Sequence, residues 1–111
     1  MKLPNAERAI IEREKIVDYL LNAAHPDNGG KCAFFVALGF RPDDWIAMAS
    51  SLRNLAMVAE VSEKLETAHG VKYIAIAMLQ SQSGRSARVK TVWIVDRGAD
   101  TARLVTAYPQ R

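Results

Sequence analysis

With 111 residues, 50% of them hydrophobic, the chain has material for one core domain and is too apolar to be a disordered tail. One cysteine excludes an internal disulfide framework. No apolar run is long enough for a signal peptide or a membrane span, so the expected location is the cytoplasm. The net charge of +3 is unevenly spread: residues 1–70 hold eight Lys/Arg and ten Asp/Glu, and residues 71–111 hold seven Lys/Arg and two Asp/Glu.

Leu3, Pro4 and Asn5 form an extended lead-in. Ala9, Ile10 and Ile11 either add a short strand or pack on the core. Residues 12–22 read as a helix, because Ile16 and Leu20, and Val17 and Leu21, lie four apart. Glu12 and Glu14 suit the positive end of its dipole. The stretch NAAHPDNGG is a loop dense in breakers. Residues 30–38 form a second helix, with Phe35 and Leu38 inward and Gly39 as a left-handed stop. Pro42, Asp43 and Asp44 start a third helix that reaches at least Asn54, with Trp45, Met48, Leu52 and Leu55 as its apolar stripe.

Residues 57–70 admit three readings: a helix extension, a separate turn of helix, or a loop. Residues 71–79 are nearly all apolar and read as a central strand buried on both faces. QSQSGRS is a polar hairpin turn. VKTVWIVDRGADTARLVTAYP then gives two strands around a turn at Gly98, with period-two alternation and a stop at Pro109. Helices first and strands last predict an α+β fold, with two or three N-terminal helices packed on a three- to four-stranded antiparallel sheet. One domain is expected over residues 1–111.

The basic second half is the electrostatic footprint of a polyanion-binding face, or else a set of solvated charges that keep sheet edges apart. His25, two glycines and Lys31 fall where a loop enters a helix. That pattern suits a phosphodiester site, with histidine as acid or base and Lys31 as phosphate partner. It also suits a turn that merely needs glycine. His69 is a second acid or base or a loop residue. Thr106 and Tyr108 are expected on one face of the last strand with Ala102 and Leu104, and Arg103 on the other. Their hydroxyls either donate to a phosphate or serve as ordinary strand formers. Arg97 and Arg85 sit in turns, where a guanidinium can clamp phosphate. Trp45 and Trp93 read as core, and Cys32 as a small hydrophobe. No metal-ligand spacing or nucleotide loop occurs, so no metal or cofactor is expected.

KLPNAERAII, KIVDYLLN, HP followed by GGK, ALGF, GVKY, VKTVWIV and RLVTAYP together resemble a bacterial family of small standalone proteins and C-terminal domains of polymorphic toxins. More widely, the helical start, small antiparallel sheet and TAYP ending resemble the ribonuclease toxins grouped with barnase, EndoU, colicin tRNases and RelE. The resemblance implies metal-independent cleavage of RNA, with His25, Lys31, Thr106 and Tyr108 as catalytic candidates and Arg103, Arg97 and Arg85 as substrate-binding candidates. It implies RNA as substrate and a small acidic immunity or antitoxin protein as partner. His69 has no clear counterpart in that pattern, which leaves the second acid to a Lys, a Tyr or no residue. The alternative is a non-catalytic nucleic-acid or protein-binding module, because no complete catalytic set stands in the sequence.

Overall fold

The computed structural model of the chain describes residues 1–26 and 30–110. Asp27, Asn28 and Gly29 of the expected loop, and Arg111 of the basic half, lie outside them. The chain builds three helices and then a four-stranded antiparallel meander in the order β1-β2-β3-β4, an α+β fold. The strands are β1 (Val61–Thr67), β2 (Gly70–Gln80), β3 (Ser86–Asp96) and β4 (Arg103–Pro109). The helices are α1 (Arg13–Lys15), which runs into a π-helical turn at Ile16–Leu20, then α2 (Lys31–Leu38) and α3 (Trp45–Val58).

Period-two burial shows which sheet face meets the helices. Tyr73, Ala75 and Leu79 on β2 and Val89, Thr91 and Trp93 on β3 join the core cluster, beneath Ile16, Leu20, Phe35, Met48, Leu52 and Leu55. The opposite face pairs Lys72 with Ile94, Ile74 with Val92, Ile76 with Lys90 and Met78 with Arg88. It is an apolar strip with basic flanks. The strand buried on both faces is β3, where Thr91, Val92, Trp93 and Ile94 are all buried, rather than the expected β2. The sequence YIAIAML is apolar on both sides, but on its outer side Ile74 and Ile76 stay half-exposed and Met78 is exposed.

Within residues 57–70, the stretch with three readings, α3 takes in Met57 and Val58, and Val61–Thr67 form edge strand β1, which none of those readings foresaw. Its residues after Val61 are all exposed, so no burial period marks it in the sequence. Ile10 settles the other open reading. It makes one parallel bridge to Arg103, with its N–H to the Ala102 carbonyl and its carbonyl to the Leu104 N–H, while Ala9 and Ile11 are buried. Gly70 is a position no other residue fits: φ is 147°, and a Cβ would lie 2.2 Å from the Val95 carbonyl oxygen.

A bulge in β4 corrects the expected facing of the last strand. Thr106 pairs with Val92 and Leu104 with Trp93, which leaves Val105 without a partner. Leu104 and Ala107 are therefore both buried in the core, while Arg103, Thr106 and Tyr108 pair with Ile94, Val92 and Lys90 on the other face. Arg103 thus shares a face with Thr106 and Tyr108, contrary to the expectation.

Candidate functional site

The site lies at the β4 edge, where the π-helical turn and the start of α2 meet the bulge. The Leu21 N–H reaches the Ile16 carbonyl at 2.8 Å, which widens the turn. Ile16, Leu20 and Leu21 point into the core, and Tyr19 is left half-buried toward β4. Its phenol oxygen accepts a hydrogen bond from Lys31 Nζ at 2.7 Å and lies 3.2 Å from Thr106 Oγ1. The His25 ring stands edge-on to the Tyr19 ring, with centroids 4.9 Å apart. Lys15 Nζ lies 5.5 Å from the same ring centroid.

Tyr19 is therefore the hub that the sequence reading missed. It gathers two of the four catalytic candidates, Lys31 and Thr106, through its hydroxyl and a third, His25, through its ring. A signal was present: Lys15 and Tyr19 lie four apart, off the Ile16–Leu20 stripe, just before the HP loop. Burial is the largest single influence on the Tyr19 phenol and acts upward. The Lys31 and Thr106 hydrogen bonds and the charges of Lys31 and Lys15 together outweigh it and hold the phenol below its ordinary value. The phenol and the Thr106 hydroxyl can each serve as donor to the other. Lys31→Met removes the strongest of these cationic influences, so the Tyr19 phenol should titrate at higher pH. Difference absorbance of the phenolate, with Tyr19→Phe to assign the band, checks this.

Two clefts flank the hub. The first, about 660 Å³, is lined by Tyr19, His25, Lys15, Val105 and Thr106, with Glu12, Glu14 and Asp18 on its helix side. The second, about 890 Å³, is lined by Gly30, Lys31, Phe34, Ala87, Arg88, Tyr108, Pro109 and Gln110. Tyr108, the fourth catalytic candidate, belongs to this second cleft, with Lys90 Nζ 5.5 Å from its ring centroid.

The three arginine candidates stand apart from both clefts. Arg103 clamps Asp96 with two hydrogen bonds, Nε at 2.8 Å and Nη2 at 3.1 Å. Arg97 occupies the β3–β4 turn, its N–H on the His69 carbonyl. Arg85, in the β2–β3 turn, donates from Nη1 to the Ala37 carbonyl at the end of α2. His69 lies in the β1–β2 turn, its N–H on Thr67 Oγ1. Trp93 is fully buried, as expected, while Trp45 is half-buried against the core.

The Arg103 hydrogen bond holds the Asp96 carboxyl below its ordinary value. The unfolded chain then takes up that proton first as pH falls. The stability from the pair is complete above the ordinary carboxylate range near pH 4 and is lost as pH drops through the lower, folded value. Asp96→Asn should therefore be less stable than the native chain at pH 7, and the gap should be smaller at pH 3. Denaturant unfolding at both pH values reads the gap.

Among the described residues, no three His, Cys, Asp or Glu side chains group as a metal-holding cluster, and no helix is long and apolar enough to cross a membrane.

The fold and site thus define a small α+β domain with a Tyr–Lys–Thr–His cluster between two clefts on an edge strand. Over residues 2–111 the chain matches the domain of unknown function DUF6883, and it belongs to that family. A chain from a contact-dependent growth inhibition toxin–immunity protein complex of Klebsiella pneumoniae 342 is similar in structure. Its TM-score is 0.74 at 16% sequence identity, over 91% of this chain and 99% of that one. At that identity the likeness is one of fold. No curated protein matches the sequence.

Proposed function

We propose that the chain is a module of a toxin–immunity system that cleaves RNA phosphodiester bonds without a metal and is restrained by a small acidic protein. The observation that carries this reading is the Tyr19 hydroxyl held between Lys31 and Thr106 beside His25 in an open cleft. A fold shared with a chain of a growth-inhibition toxin–immunity complex supports the setting.

In this scheme His25 takes the proton of a ribose 2′-OH. The freed oxygen attacks the adjacent phosphorus, and the bond from phosphorus to the 5′-oxygen breaks. Lys31 and Thr106 stabilise the charge that builds on the equatorial phosphoryl oxygens. Tyr19 gives its proton to the leaving 5′-oxygen, a role suited to a phenol with a lowered pKa. The products are a 2′,3′-cyclic phosphate and a 5′-hydroxyl. Arg88, in the cleft with Tyr108, and Lys90, near the Tyr108 ring, extend the cationic path beyond the reacting phosphate. Arg103, Arg97 and Arg85 act on more distant parts of a long RNA.

A second reading, a non-catalytic binding module, draws on the acidic rim of Glu12, Glu14 and Asp18, which suits a basic surface. Induced expression in bacteria without a partner separates the two. Growth arrest with fragmented RNA, relieved by His25→Ala, supports cleavage. Normal growth with intact RNA from well-expressed protein overturns it. A binding module would hold RNA intact and release it steeply as salt rises.

A further inference from the structure

We propose that the cleft between Phe34 and Tyr108 is a nucleobase subsite, so that the site takes single-stranded RNA with an unpaired base beside the phosphate at Lys31. This deepens the RNA-cleaving reading and rests on it.

The two clefts differ in charge in a way that sets a path. The cleft around His25 carries three carboxylates on its helix side, Glu12, Glu14 and Asp18. Among the described residues, the other has no carboxylate in its lining and two cations, Lys31 and Arg88. A polyanion is repelled from the first rim and drawn across the second cleft toward the basic sheet face. Lys31 joins the two, since it lines the second cleft while its Nζ donates to Tyr19 in the first.

The walls of the second cleft suit a base rather than a bare phosphate. Phe34 and Tyr108 are half-exposed aromatic rings, and Phe34 is braced edge-on by fully buried Phe35 at 5.0 Å between centroids. Ala87 and Pro109 complete an apolar surface. Arg88 and Gln110 supply donors and an acceptor for a base edge. Aromatic platforms beside a cationic groove are how proteins hold unpaired bases of single strands. Thr106 and Tyr108 are two residues apart on one strand face, a step of about 6.6 Å. That step separates the phosphate contact from the ring by a length of the order of one nucleotide.

A duplex cannot use this arrangement, because its bases are stacked inside. The substrate is therefore a loop, bulge or free end.

The test uses labelled 2′-O-methyl hexanucleotides, which lack the attacking hydroxyl, with anisotropy at low salt. A base-bearing strand should bind more tightly than its abasic counterpart by a factor of about 5–100. Tyr108→Ala should erase that advantage, with its circular dichroism spectrum and unfolding midpoint showing that the variant is folded. Tyr108→Phe should retain it. Equal binding of abasic and base-bearing strands, or preference for duplex, overturns the subsite and leaves the cleavage reading standing. Absence of binding to any strand overturns both.

Discussion

Lys31→Met is expected to lower RNA cleavage by a factor of about 10²–10³, with the fold unchanged. The lysine is only half-buried, at the first turn of α2, so its loss opens no core cavity. What it loses is the 2.7 Å hydrogen bond that fixes the Tyr19 hydroxyl and a positive charge beside the phosphate. Both matter most when charge builds on the phosphoryl oxygens. His25→Ala should cost about 10²–10⁴-fold, the range for a positioned acid or base. Because the two groups act on one transition state, the double variant should lose much less than the product of the single losses. Single-turnover cleavage of a labelled RNA, with unfolding midpoints as a fold control, measures all three.

The largest stability effect of a near-isosteric change should come from Thr91→Val, about 2 kcal/mol or roughly 10 °C in Tm. Thr91 is fully buried in β3. Its hydroxyl donates to the Ala75 carbonyl at 2.7 Å and accepts from Trp93 Nε1 at 2.8 Å. Valine keeps the shape and strands the indole N–H, in a core where no other buried side-chain donor or acceptor lacks a partner among the described residues. Trp93→Phe removes that donor. The double variant Thr91→Val with Trp93→Phe should therefore cost less than the two single changes added, with a coupling on the order of 1 kcal/mol. Thermal and denaturant unfolding of the four proteins tests the cycle. Strict additivity would mean that the indole–hydroxyl bond carries no weight.

The elements that were legible in the sequence are those with local signals. β3 and β4 are rich in β-branched and aromatic residues on either side of a glycine turn, and α2 and α3 carry apolar stripes with Gly39 and Pro42 as punctuation. β1 was not legible, because an edge strand exposed on both faces leaves no burial period in VSEKLET. The facing of Arg103 was not legible either, since the Val105 bulge depends on pairing with Val92 and Trp93 across the sheet. The candidate site was half legible. His25, Lys31 and Thr106 stood out by residue type. Tyr19 did not, because its importance arises from a π-helical turn and from Thr106, 87 residues away. The three arginines stood out by their places in turns and beside TAYP, and they fall away from both clefts, with Arg103 on Asp96 and Arg85 on the Ala37 carbonyl.

The most direct test is end-group analysis of the products from purified protein and total bacterial RNA with excess chelator. Metal-independent cleavage through His25 requires fragments ending in 2′,3′-cyclic phosphate and beginning with 5′-hydroxyl, formed by the native protein and not by His25→Ala. Intact RNA, fragments with 5′-phosphate ends, or equal cleavage by the His25 variant would contradict it.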